Sequence, residues 1–526
     1  MKQYNLNFEI EKEINLNYLK KWFKEVLNIN TLELKDENSI ILLSKYSINL
    51  AIQLFQACQI PMFKDIEINS LNMDKIQKNK FTLSISYEYI DFIPIQYYIQ
   101  ILDNSFNYVL YMTKNQVTQE NKKLLVDNII NLINQILLQM PIGKSTIHIL
   151  KEASKRDIPF LHLGDGVYQL GIGSKSIKID RSTTNLDSAI GSKLSQNKLY
   201  TANLLKIAGL PAPIHSVTNS KDEALHIART LNYPVVVKPL DLDRGEGVSV
   251  NIFDEKSLIK AFELAYSLSK RKQVIIERQV KGICHRLFIV GKELLYCVKR
   301  LPICVIADGI STIEKLIQKA NDKENLKMPW DSSKQFFPND ELALKTIKED
   351  SYSFKSIPKK GTVIPLREIE STRWGGYDED VTNLVHIENL KIALQATKLF
   401  ELQISGIDII TSDISKPYYE TGAIINEINF APLLGGGDIS RQNIWKYLDL
   451  LLKDNTRVPI ELFNSEEEAI NRQNELILNG IKAYFVSENK VLDFQKELVF
   501  FDNYNHTEKI KALFLNKSVD FIVIFK

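Results

Sequence analysis

The 526-residue chain has little cysteine: Cys58, Cys284, Cys297 and Cys304 are the four, with no CxxC spacing and no neighbouring metal-type cluster. That excludes a disulfide framework and a zinc ribbon, and leaves the reduced thiols of a cytosolic protein as the expectation. An excess of one charge is missing too, since 66 Lys+Arg face 64 Asp+Glu. No global field is available to hold nucleic acid or an anionic membrane. No uninterrupted apolar run reaches the about 18 residues of a membrane span. The opening MKQYNLNFEIEKEINLNYLKKWF is too charged for a signal peptide. The reading is of a cytoplasmic protein with neither a nucleic-acid nor a membrane partner. What is present is 44% apolar and 25% charged residues, the mixture of a globular protein. At about 150 residues per domain, the length allows three or four domains.

Hydrophobic period and breakers divide the chain into blocks. Residues 1–140 read as an α+β domain, with strand-like runs at Lys80 to Tyr87 and Asn107 to Tyr111. A helix from Gln119 to Leu138 carries Leu125, Ile129, Ile133 and Leu137 at helical spacing. Residues 141–195 form a connecting segment with Gly/Ser turns and a short strand, SIKID. From 196 to 454 strands and helices alternate, with a polar insertion at about 324–362 suited to a lid. Residues 455–526 read β-α-β-β-α-β, a small α/β appendage. The overall class is α+β.

Two stretches carry the chemistry. VVVKPLDLDRGEGV, residues 235–248, is a β-branched strand that ends in Lys238 and opens into a loop bearing Gly245 and Gly247. A cation and exposed backbone N–H groups at a flexible turn suit a nucleotide's phosphates. A lysine snorkelling at a strand end is common, and Gly-x-Gly alone is weak evidence; their conjunction favours phosphate contact. In INEIN, Glu427 and Asn429 stand two apart on a strand and so share a face. With Asp408 of SGIDII they form a candidate oxygen-ligand set for Mg²⁺. Solvated carboxylates at strand ends are the competing reading. Gly143-Lys144-Ser145 mimics the end of a P-loop, but Leu138 stands where GxxxxGK[ST] needs glycine. Gly171-x-Gly173 lacks the third glycine of a dinucleotide fingerprint. His285 and Arg286 follow the turn Lys281-Gly282 as substrate-contact candidates, although a lone histidine is more often structural. Arg300 and Arg367 suit bidentate binding of phosphate or carboxylate, or equally a surface ion pair.

With these residues in view the chain resembles the ATP-grasp ligases, and among them the cyanophycin synthetases. The stretches that carry the likeness are RDIPFLHLGDGVYQLGIGSKS, QNKLYTANLLKIAGLPAP through VVVKPLDLDRGEGVSVNI, IIERQVKGICHRLFIVGKELLYCVKRLPICVIADGISTI, and VTNLVHIENLKIALQATKLFELQISGIDIITSDIS through INEINFAP. The resemblance implies an ATP-grasp fold using ATP and Mg²⁺. It implies that Lys198 and Lys238 hold phosphates, and that Gly245 and Gly247 lie in the loop closing over them. Glu277 to Val280 match the hinge at the adenine. Asp408, Glu427 and Asn429 match the metal ligands, and Arg300 and Arg367 match arginines at the reacting phosphate and carboxylate.

Departures from the family pattern are specific. Cys284 replaces the usual acid of the ribose contact. Ser371-Thr372-Arg373-Trp374-Gly375-Gly376 replaces a motif like N-L-S-T-G-G, which makes Arg373 a candidate in substrate selection. Gly435-Gly436-Gly437 follows the metal strand in place of the family's usual residues. After Arg457-Val458-Pro459-Ile460 the family continues into a Mur-ligase-like half with a P-loop, whereas here Glu461-Leu462-Phe463-Asn464 follows. The expectation is one ADP-forming carboxylate–amine ligation through an acyl phosphate, with an amino acid or peptide as substrate. A homo-oligomer and a separate second ligase go with it. The alternatives are a dipeptide or glutathione-type ligase, and a non-catalytic ATP-binding partner of another synthetase.

Overall fold

The computed structural model describes residues 1–10, 14–31, 38–140, 143–242, 246–331, 333–368, 375–453, 455–499, 501 and 503–526. Two antiparallel sheets between residues 198 and 430 position the site. The elements of the first are helix α1 (Lys198–Ile207), strand β1 (His215–Thr218), helix α2 (Lys221–Leu231), β2 (Val235–Pro239), β3 (Ser249–Ile252), helix α3 (Glu255–Leu268) and β4 (Val274–Arg278). The second comprises β5 (Ile283–Val290), β6 (Glu293–Pro302), β7 (Gly376–Asp380), helix α4 (Ile387–Leu399), β8 (Ile404–Thr411) and β9 (Ile424–Phe430). Strand order is β3-β2-β4-β1 in the first sheet and β7-β6-β5-β8-β9 in the second.

Strand alternation decides what each face offers. On β2 and β4, Val235, Val237, Val274 and Ile276 are buried against Ala224 and Ala228 of α2 and Phe262 of α3. Each such side chain contributes about 1.5–3 kcal/mol relative to exposure. The intervening residues, Lys238 on β2 and Ile275 and Glu277 on β4, are left to the opposite, open face. In the second sheet Leu287, Ile289, Ile407, Ile409, Ile425 and Ile428 pack on Ile392, Ala393 and Ala396 of α4. The other face carries Phe288, Tyr296 and Val298, which join a large core running into the N-terminal region.

That region holds a three-stranded sheet in which Lys80–Tyr87 lies between Lys2–Glu9 and Glu67–Met73. Asn107 to Tyr111 is not a strand. It lies inside the helix Ile95–Lys114, whose buried Ile101, Leu102, Phe106, Val109 and Met112 follow helical spacing. The short β-branched and aromatic run was overridden by the longer period. A second correction concerns Ser39–Ala57, a helix long and apolar enough to cross a membrane by length and composition, with half of its apolar window buried. One lysine, Lys45, hides that run from a simple reading; Leu43, Tyr46, Leu50, Leu54 and Phe55 belong to the N-terminal core.

Residues 160–184 form a four-stranded sheet. The 324–362 insertion has a core of its own with its flanks: Ala343 and Ile347 of the helix Glu341–Glu349 pack on Ile313, Leu316, Ile364 and Leu366. At the C-terminal end, Ile460–Phe463, Phe521–Phe525 and Ala483–Val486 pair in parallel, extended by Val491–Leu492 and Leu498–Val499. The pair Val491–Leu492 is an addition to the sequence reading.

Candidate active site

The open face of the first sheet and the edge of the second meet in a cleft lined by Lys198, Pro213, His215, Lys238, Ile275, Glu277, Asn426 and Glu427. Lys198 is the first residue of α1, whose N-cap Asn197 accepts hydrogen bonds from the backbone N–H of Leu199 and Tyr200. Its ammonium donates to the Leu242 carbonyl, just before the loop. Lys238 and Glu277 lie diagonally across β2 and β4 and form an ion pair of 2.7 Å, with side chains 15% and 6% exposed. Gly247 has φ +70°, and a Cβ there would stand 2.8 Å from Pro239 Cγ, so that turn requires glycine. Val280 is half-buried in the segment after β4. Gly245 and Arg373 lie outside the described residues.

Asp408, Arg286 and Glu427 form one row across β5, β8 and β9, because Arg286 pairs in register with Asp408 and Asp408 with Glu427. A bulge beside Asp408 adds Asn426 to β9. It lets Ile425 and Ile428 both reach the core while Asn426 and Glu427 line the cleft. Asp408 is 3% exposed and accepts two 2.7 Å bonds from Arg286, Nε to Oδ1 and Nη2 to Oδ2. Arg300 Nη1 stands 3.8 Å from Asp408 Oδ2, and Asn429 Nδ2 donates to the same oxygen at 3.3 Å. Desolvation opposes the charge on Arg286, but the Asp408 carboxylate outweighs it and keeps the guanidinium ionised.

The sequence candidates therefore divide. Lys198, Lys238, Glu277 and Glu427 share the cleft. Asp408, Asn429, Arg286 and Arg300 form the adjoining row. His285 does not belong with them: alternation turns it away from Arg286, toward the α4 side. There it is 3% exposed, with Nδ1 bonded to the Ile283 carbonyl at 2.9 Å. Burial lowers its pKa and keeps it neutral. Arg367 is held by Asp340 and the Leu366 carbonyl, and the Leu366 N–H donates to the Ile303 carbonyl just beyond β6. Three residues escaped sequence reasoning. His215 faces Glu277 across β1 and β4, Asn426 is the bulge residue, and Asp378 pairs in register with Arg300 on β7.

Two antiparallel sheets thus meet at a lysine-lined cleft, and residues 197–288 match the family "Carbamoyl-phosphate synthase L chain, ATP binding domain". The chain is 34% identical to the cyanophycin synthetase of Geminocystis herdmanii over 328 residues, 61% of this chain and 38% of that protein. A bifunctional glutathione biosynthesis protein of Clostridium perfringens is 28% identical over 296 residues, 55% of this chain and 38% of the relative. The chain thus spans well under half the length of the relatives it matches. A bifunctional glutathione synthetase from Pasteurella multocida superposes with a TM-score of 0.47 and 16% identity, over 84% of this chain and 78% of that one. Residues 197–288 thus resemble an ATP-binding domain, and over the 328 matched residues the chain is similar to a cyanophycin synthetase.

Proposed function

We propose that this protein is an ATP-dependent carboxylate–amine ligase that joins an amino acid or peptide through an acyl phosphate. The observation that carries the reading is the cleft in which Lys198 and Lys238 of one sheet unit face Glu427 of the other. In this scheme a substrate carboxylate oxygen attacks the γ-phosphorus of ATP, ADP leaves, and an amine then displaces phosphate from the acyl carbon. Phosphoryl transfer needs positioning and charge neutralisation more than covalent help. Lys198 and Lys238 neutralise the phosphates, Lys238 by exchanging Glu277 for an anionic oxygen. Arg286 and Arg300 orient the carboxylate and the transferring phosphoryl group. The cleft must shed water, because water destroys an acyl phosphate.

Glu427, Asp408 and Asn429 are the residues for Mg²⁺ in this proposal. Two carboxylates and an amide on one face of neighbouring strands fit an oxygen-seeking cation that takes its other ligands from phosphate and water. Among the described residues no group of three or more His, Cys, Asp or Glu gathers as a metal cluster. When bound, the ion would supply charge neutralisation at the phosphates. Cytosolic location, self-association and a separate ligase for a second bond belong to the same proposal.

The test is ADP release on mixing the protein with ATP, Mg²⁺ and a panel of amino acids and short peptides. A product growing by repeated increments supports a polymer, and a single dipeptide supports the glutathione-type alternative. ATP binding without turnover on any substrate defeats the ligase reading and leaves a nucleotide-binding partner protein.

A further inference from the structure

The charged row does not stop at Arg300. In register with that arginine, on the edge strand β7, stands Asp378. It is an exposed residue, yet burial of its carboxylate raises its pKa, ahead of the opposing pull of Arg300 and Arg286. Arg286 gives two short bonds to Asp408, and Arg300 Nη1 stands 3.8 Å from the same carboxylate. Among the described residues Asp378 makes no ion pair and no side-chain hydrogen bond. Tyr296 lies beside it and donates to Ser440 Oγ at 3.1 Å. Ser440 in turn accepts from Gly435 N–H, tying down the loop that follows β9. That loop passes over the carboxylate, where a Cβ on Gly437 would lie 3.8 Å from Asp378 Oδ2.

The row is thus polar in a chemical sense. Glu427 opens on the nucleotide cleft, two guanidiniums suited to carboxylate and phosphoryl oxygens occupy the middle, and an uncommitted carboxylate closes the far end. An acyl phosphate lying on the arginines would turn its carbonyl carbon toward that end. The geometry points to Asp378 as the seat of the incoming amine, binding it as an ammonium and taking one of its protons. This deepens the ligase reading and rests on it. One proton passes from the ammonium to the Asp378 carboxylate. The freed nitrogen lone pair forms the C–N bond, and the acyl C–O bond breaks, its electron pair leaving with phosphate. The second proton lost by nitrogen goes to the departing phosphate. The groups facing Asp378 that shape its titration are Arg300, Arg286, Asp408 and Tyr296.

Hydroxylamine separates this role from all others, because it attacks acyl phosphates as a neutral amine and needs no seat or proton acceptor. The carboxylate substrate is first found by screening amino acids and dipeptides with wild-type protein, ATP, Mg²⁺ and hydroxylamine for hydroxamate. With that substrate, Asp378→Asn is expected to form hydroxamate within about twofold of wild type. Its ligation of the natural amine falls about 100-fold or more, with the residual rate climbing as pH frees the amine. Equal loss of hydroxamate and amide, or loss of neither, overturns the assignment. A wild-type protein that yields no hydroxamate from any carboxylate overturns the ligase reading itself, and the assignment with it.

Discussion

The two sheets hold their charges in different ways. On the first, Lys238 and Glu277 make a single ion pair that opens on the cleft, where the proposed function has a phosphate take the lysine. On the second, Asp408 is buried and gripped bidentately by Arg286, with Arg300 and Asn429 beside it. One arrangement keeps a cation available; the other fixes acceptors and donors before any ligand arrives. Buried pairs add little net stability over an apolar core but are costly to break, so the second sheet trades tolerance for precision.

Breaking the second pair should cost most. Asp408→Ala leaves the Arg286 guanidinium buried without its counter-charge and is expected to lower the unfolding free energy by about 3–5 kcal/mol in urea titrations. A loss below about 1 kcal/mol would erase the distinction between the sheets. Lys238→Met strands the nearly buried Glu277 carboxylate with a smaller penalty, about 1–3 kcal/mol by the same measurement. Gly247→Ala comes next, at about 1 kcal/mol, from a positive φ and crowding by Pro239. Its effect on ATP affinity should exceed its effect on thermal stability.

The smallest effect compares a histidine from each sheet. Burial lowers the pKa of both His215 and His285 from the usual 6.5. A base whose folded pKa lies below its unfolded one binds more protons unfolded, so its stabilisation is full above pH 6.5 and is lost as pH falls. Unfolding measured from pH 7.5 to about 5 should show falling stability, with a shallower slope in His285→Gln by less than about 1 kcal/mol. A steeper or unchanged slope would contradict the burial argument.

Much of this could be seen in the chain itself, for reasons that differ residue by residue. Strand alternation was enough to turn Lys238 outward and to set Glu427 and Asn429 on one face. The same rule separates His285 from Arg286, since neighbours on a strand cannot share a face. The grip of Arg286 on Asp408 was out of reach because it depends on the register of two strands 122 residues apart. Asp378 was concealed in the run Asp378-Glu379-Asp380, which looks like any solvated acidic edge until β7 is docked beside Arg300. His215 had no motif around it; only the edge position of β1 brings it to Glu277. The run Asn107 to Tyr111 misled because five residues are too few to distinguish a strand from one side of a buried helix.

The central claim is that Lys238 and Glu427 serve one nucleotide from two sheets. Calorimetric titration of MgATP into wild type, Lys238→Ala and Glu427→Gln tests it most directly. The account predicts saturable binding by the wild type and a loss of at least about tenfold in affinity in each variant, about 1.4 kcal/mol apiece. Binding that is unchanged in both, with each variant still folded, would contradict it.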